Sequence, residues 1–175
     1  MKRNGIFTLT LSAMLIAMSV VIGIFCKTFL NFGGGLFRIT FENLPIILSG
    51  IMFGPLIATV VGVATDLISY LLSPQIYPPN LIVTLGAATI GFLSGFISHY
   101  LIKKRGYAQI IVSGICAHAI GSMIIKSAGL FVYYEWLVLW RIPTYVIISA
   151  IEAWIACYLY KNRAFAKIFK RGIEK

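Results

Sequence analysis

The chain has 175 residues, of which 59% are apolar and only 11% charged, and its formal net charge is +10. Soluble domains carry about 25% charged residues, and a water-soluble fold of this size has no core large enough for so much apolar surface. The composition points to a single membrane-embedded domain over 1–175, and it disfavours a soluble enzyme, a secreted disulfide scaffold and a disordered tail.

A spanning helix needs roughly 20 mainly apolar residues. The first candidate runs from Phe7 to Cys26 and ends at Lys27. The apolar run from Ile6 exceeds the usual core of a cleavable signal and lacks an evident cleavage site, so it reads as a retained helix. Asn31-Phe32-Gly33-Gly34-Gly35 follows as a flexible loop, its triple glycine suggesting a mobile lid. From Glu42 to Leu72 the apolar sequence is broken only at Phe53-Gly54-Pro55, which predicts a bent pair of helices hinged there. For both to be spans, the earlier one must recruit Ile39 to Asn43 and stay short or tilted. Gln75-Ile76-Tyr77-Pro78-Pro79 excludes helix and reads as an ordered loop. Candidate four runs from Asn80 to Ile102, candidate five from Gln109 to Leu130 and candidate six from Trp140 to Tyr160. Before the sixth, Tyr133, Tyr134, Glu135, Trp136 and Trp140 form an interfacial aromatic belt. Cys26, Cys116 and Cys157 fall inside these runs at no ligand-like spacing and read as buried free thiols.

Eleven of the fifteen Lys and Arg lie in Lys2-Arg3, Lys103-Lys104-Arg105 and the tail from Lys161 to Lys175. With six spans and a cytoplasmic N-terminus, all eleven fall on the cytoplasmic side, as the positive-inside rule demands; five spans would export the tail. The basic balance therefore reports orientation and contact with anionic lipid. No aromatic-interleaved basic face for nucleic acid is visible. Small residues recur four apart at Ala13/Ala17, Gly50/Gly54 and Gly91/Gly95, a spacing that lets helix backbones approach closely in lipid. The pair on the first helix is placed to face a partner protein.

Arg38, Glu42, Asp66, Lys126, Arg141 and Glu152 sit within or against apolar runs, where a charge costs roughly 3 kcal/mol on insertion scales. In the six-span reading Asp66, Lys126 and Arg141 lie in the outer halves of their helices, and Arg38 and Glu42 open span two at the same level. Four helices thus converge on a polar ligand pocket open to the outside. The simpler alternative has Lys126 and Arg141 snorkelling to headgroups, with Asp66 neutralising one of them. Glu152 lies deeper, where structural pairing and a ligand role are equally open; His99 and His118 are assigned no role. Tyr77, Tyr134, Trp136 and Trp140 either stack on a planar ring or belong to the belt. Two or more cations, a carboxylate and aromatic rings suit a flat heterocycle bearing carboxylates. No Walker A motif, H-E-x-x-H or G-x-S-x-G elbow is present, and neither a repeated filter loop nor inverted repeats are evident.

The small size, six spans, Leu44-Pro45, Gly50-x-x-Phe53-Gly54-Pro55, Gly62 and Asp66 together resemble the substrate-binding S components of energy-coupling factor (ECF) vitamin transporters. Ala13-Met14-Leu15-Ile16-Ala17 is similar to the alanine pair that the family carries on helix one. Within the family the chain is most similar to the folate-specific branch, on Phe53-Gly54-Pro55, Asp66-Leu67-Ile68, the Tyr77-Pro78-Pro79 loop entering span four and Arg141 opening span six. The resemblance covers nearly the whole chain and implies an all-α bundle of six transmembrane helices in the cell membrane, with both termini cytoplasmic. It implies a non-enzymatic subunit that binds folate on the outer face, docks through Ala13 and Ala17 onto a transmembrane coupling subunit, and topples to release the vitamin inside. ATP is used by two partner ATPase subunits; this chain needs no cofactor or metal. Asp66 would accept two hydrogen bonds from the pterin edge, Arg141, Lys126 and Arg38 would meet the glutamate carboxylates, and Tyr77, Asn80 and Trp140 would complete the substrate-binding set. Glu42 and Glu152 depart from that pattern, since either can pair with one of these cations. The alternatives are an S component for another vitamin or small heterocycle, and a membrane scaffold or channel without ligand.

Overall fold

A computed structural model describes residues 2–32, 37–72, 80–102, 106–162 and 165, with backbone alone described at 2–4, 31–32, 37–38, 134 and 137. Helix α1 spans Lys2–Phe29 and is followed by a two-stranded antiparallel ladder, β1 (Asn31–Phe32) with β2 (Phe37–Arg38). Helix α2 is Asn43–Phe53 and α3 is Pro55–Leu72. Helix α4, Leu81–Phe96, continues into a π-helical stretch, Ile97–Leu101. Helix α5, Tyr107–Ala117, passes through a second π stretch, His118–Lys126, into α6, Ser127–Tyr134, so that 107–134 is one continuous rod. A 3-10 segment, Glu135–Trp140, leads into α7, Arg141–Lys161.

Five of these helical segments are long and apolar enough to cross a membrane: Gly5–Phe29, Pro55–Leu72, Leu81–Leu101, Tyr107–Tyr133 and Val138–Lys161. Their outward faces carry bare Leu9, Leu56, Leu71, Val132 and Trp154. A surface of that kind needs an apolar solvent. Helix α2 differs. It has 11 residues, all buried, and at 1.5 Å per residue reaches about 16 Å, half of a hydrocarbon core of roughly 30 Å. Ile39 to Glu42 stay outside it, so the recruitment expected for a second full span does not occur. A helix apolar on every side belongs inside a protein, and α2 supplies Leu44, Ile46, Ile47, Leu48, Ile51, Met52 and Phe53 to the central core.

The α2–α3 hinge falls at the expected residues. Gly54 takes φ of 90°, a left-handed conformation open to glycine, and Pro55 begins α3, where its missing N–H costs nothing. Around this hinge the helices touch through glycine. A methyl group at Gly91 would overlap the Ala58 carbonyl, one at Gly62 the Ala87 carbonyl, and one at Gly50 the Ser94 hydroxyl. At Gly95 it would lie 2.5 Å from the Pro55 nitrogen. The Gly50/Gly54 and Gly91/Gly95 pairs thus serve internal packing.

These contacts also set the directions. Ala58 meets Gly91 and Gly62 meets Ala87, so α3 and α4 are antiparallel. Gly121 meets Ile90, and Gly129 meets Ile82 and Val83, making the 107–134 rod antiparallel to α4. Tyr107 rests edge-on against Tyr160 at 5.6 Å, which runs α7 antiparallel to the rod. The start of α1, Leu101 at the end of the α4 helix, the start of α5 and the end of α7 therefore gather at one end, here called proximal. The end of α1, the ladder and the starts of α2, α4 and α7 gather at the opposite, distal end.

Candidate functional site

The distal end collects the ionisable groups. Lys126 closes the second π stretch, and its stem is laid flat across α4 because position 86 is glycine; a Cβ there would stand 2.5 Å from Lys126 Cγ. The ammonium is 94% buried as a residue and reaches the start of α2. There it donates to Asn43 Oδ1 at 3.0 Å and faces Glu42 Oε1 at 3.6 Å. Glu42 is held in turn. Its backbone N–H donates to Thr40 Oγ1 at 3.3 Å, its carbonyl accepts from the Ser19 hydroxyl, and its carboxylate lies over Gly23 of α1. Lys27, one turn beyond Gly23, donates to the Ser69 carbonyl of α3 at 3.4 Å.

Asp66 stands one turn past Gly62 on α3 and accepts a hydrogen bond of 2.7 Å from the Thr84 hydroxyl of α4. Arg141 opens α7, is buried, and places its guanidinium 5.8 Å from the Tyr145 ring centroid. Lys126 and Arg141 are thus two buried cations at one end of the bundle, with Glu42 against Lys126 and Asp66 at the same end. Such an end favours an anionic ligand with a hydrogen-bonding edge.

The other expected site residues fare differently. Arg38 pairs with Asn31 in the ladder, and β2 packs against α7. The segment Asn31–Gly35, expected as loop throughout, therefore begins as strand. Tyr77 lies outside the described residues. Asn80 is spent on the fold: its Oδ1 caps α4 by accepting from Ile82 N–H at 2.9 Å, and its Nδ2 donates to the Gly129 carbonyl at 2.6 Å. Trp140 is 64% exposed, directly before buried Arg141. Phe131 and Trp136 meet edge-on at 5.6 Å. Ala13 and Ala17 are both exposed on α1, each directly before a bare methionine, Met14 and Met18.

Sequence reasoning missed Thr84, Asn43 and Lys27 as members of the distal cluster. Asn43, a polar residue directly after Glu42 in an apolar stretch, was the signal available. It also left His118 without a role. His118 and Glu152 form a buried pair at 2.5 Å between the rod and α7, with Ser122 Oγ 3.2 Å from the other ring nitrogen. For Glu152, of the two readings left open, pairing is the one found.

A family model described as "ECF transporter, substrate-specific component" matches residues 7–161. No curated protein matches the chain. Among solved structures, the chain is similar to the crystal structure of FolT bound with folic acid, with a TM-score of 0.68 and 26% identity over 90% of this chain and 95% of that one. The five membrane-length helices agree with a multi-pass membrane protein. On the family match over 7–161, the chain belongs to the substrate-specific components of ECF transporters.

Proposed function

We propose that the chain is the folate-binding S component of an ECF vitamin transporter in the cell membrane, with the distal end outermost. The observation that carries this reading is that two buried cations, Lys126 and Arg141, and the Asp66 carboxylate lie at the same end of a fold similar to folate-bound FolT. Folate has the matching chemistry. Its pterin edge offers adjacent N–H donors to Asp66, and its glutamate carries two carboxylates for Arg141 and Lys126, with Arg38 of the ladder as the third candidate cation. Tyr77 and Trp140 are the candidates to stack on the pterin ring, and Asn80 holds the start of α4 in place.

The basic runs that adjoin in sequence the start of α1, the end of the α4 helix and the end of α7 support a cytoplasmic position for both termini. The exposed stripe of Ala13 and Ala17 fits a docking face for a transmembrane coupling subunit, which two ATPases drive. Folate arrives from outside, and toppling of the loaded subunit delivers it inward.

Calorimetry on the detergent-purified protein tests the reading, with riboflavin and thiamine as controls. Selective folate binding that weakens in Asp66→Ala and Arg141→Ala supports both ligand and site. Unaltered binding in those variants moves the site elsewhere. Selective binding of another vitamin replaces the ligand, and no binding of any vitamin returns the scaffold reading.

A further inference from the structure

We propose that Asn43 is a ligand-binding residue of the distal end: its side-chain oxygen holds Lys126 in place, and its side-chain nitrogen donates to the same ligand carboxylate that Lys126 takes. The inference rests on the folate reading of that end and adds a specificity-determining residue to it.

Asn43 is the first residue of α2 and is 1% exposed. Its orientation follows from its neighbour. Lys126 Nζ stands 3.0 Å from the side chain, and an ammonium only donates, so the atom turned towards it is the oxygen, Oδ1. Nδ2, on the other arm of the same planar amide, is thereby turned away from Lys126 with two N–H bonds to place. No described residue accepts from it. Nor is it sealed in: the sealed side-chain atoms that lack a partner include Ser12 Oγ, Thr65 Oγ1 and Glu152 Oε1, and Asn43 Nδ2 is not among them. A donor in so buried a residue calls for an acceptor, and here the acceptor comes from outside the fold.

Lys126 has capacity for the same guest. One of its three N–H bonds goes to Asn43 Oδ1, and Glu42 Oε1 faces it at 3.6 Å, which leaves a third. Neither partner has to move. The two oxygens of a carboxylate then meet Lys126 Nζ and Asn43 Nδ2 together, one charged donor and one neutral. They do so at the start of α2, where the helix dipole favours negative charge. The neutrality of Asn43 matters as much as its geometry. Glu42 already balances Lys126, so an aspartate at 43 would turn the start of α2 negative and repel the ligand. Asparagine gives Lys126 an acceptor without that charge. Uncharged heterocycles offer the two donors no anion, so the pair selects carboxylates against neutral rings.

The test uses the full-length protein in detergent, isotopically labelled at asparagine nitrogen, and follows the Asn43 side-chain amide by NMR. Folate should move that resonance, whereas folate dimethyl ester, which lacks both glutamate charges, should leave it near its unliganded position. Asn43→Asp and Asn43→Ser each remove the resonance and so assign it. In calorimetry Asn43→Asp, which keeps an oxygen on Lys126 but loses the donor and adds a charge, should weaken folate roughly a hundredfold. Asn43→Ser adds no charge and should weaken folate about tenfold; it serves if Asn43→Asp does not fold. A resonance that stays in place when folate binds, an equal shift with the diester, or wild-type folate affinity in either variant overturns the role of Asn43 and leaves the folate reading standing. Failure of the wild-type protein to bind folate overturns that reading itself, and this inference with it.

Discussion

Two ionisable pairs lie on the same rod, and they are built oppositely. His118 and Glu152 meet at 2.5 Å with exposures of 0% and 1%, fastening the middle of the rod to α7. Lys126, two turns further along, faces Glu42 at 3.6 Å near the distal end, where both retain some exposure. A buried carboxylate is tolerated only when it is paired and hydrogen-bonded. The first pair therefore reads as a fixed joint. The second is longer and less buried, at the end where the ligand site is proposed. Depth in the bundle separates the two roles more clearly than residue type does.

That contrast can be broken by mutation, beginning with the largest expected effect. Glu152→Ala should cost about 3–5 kcal/mol, because it strands a buried histidine, seen as a large fall in Tm of the purified protein. A Tm within a degree of wild type would show that the joint is dispensable. Gly91→Ala forces a methyl into the Ala58 carbonyl and should cost roughly 1–3 kcal/mol of stability by overpacking, measured the same way. Its folate Kd, taken at a temperature where it is folded, should stay close to wild type.

The distal substitutions should act on affinity. Arg141→Ala should weaken folate by about 30-fold, equivalent to about 2 kcal/mol for a charge-assisted contact, in a calorimetric titration. A matching loss for the dimethyl ester would mean that Arg141 does not read the carboxylates. Thr84→Val removes the hydroxyl that holds Asp66 and should weaken folate by about fivefold, near 1 kcal/mol. Tighter binding in this variant would show that Thr84 competes with the pterin for Asp66 instead of orienting it.

Much of the architecture was legible because lipid imposes simple rules. Apolar run length marked five helices that the structure contains, and the Phe53-Gly54-Pro55 break marked the hinge to the residue. The exception is instructive. The α2 sequence is as apolar as a span, so composition could not distinguish a helix bathed in lipid from one wrapped by protein; its 11-residue length, with Ile39 to Glu42 left extended or turned, separated them. The ladder at Asn31 and Arg38 was hidden for a related reason, since two-residue strands carry no periodicity.

For the site, the sequence by itself determined that Asp66, Lys126 and Arg141 sit at similar depth near the same end, because each lies close to a helix terminus and charges are costly elsewhere in a membrane. It also determined the membrane class, through composition alone. Only the tertiary structure decided the partners. Glu42 falls to Lys126 across 84 residues of chain, Thr84 to Asp66 and His118 to Glu152, each through the way two helices are packed. Helix register against a neighbour is fixed by side-chain volume at the crossing, chiefly by glycines 62, 86 and 91, and a one-turn slip would exchange every one of those partners.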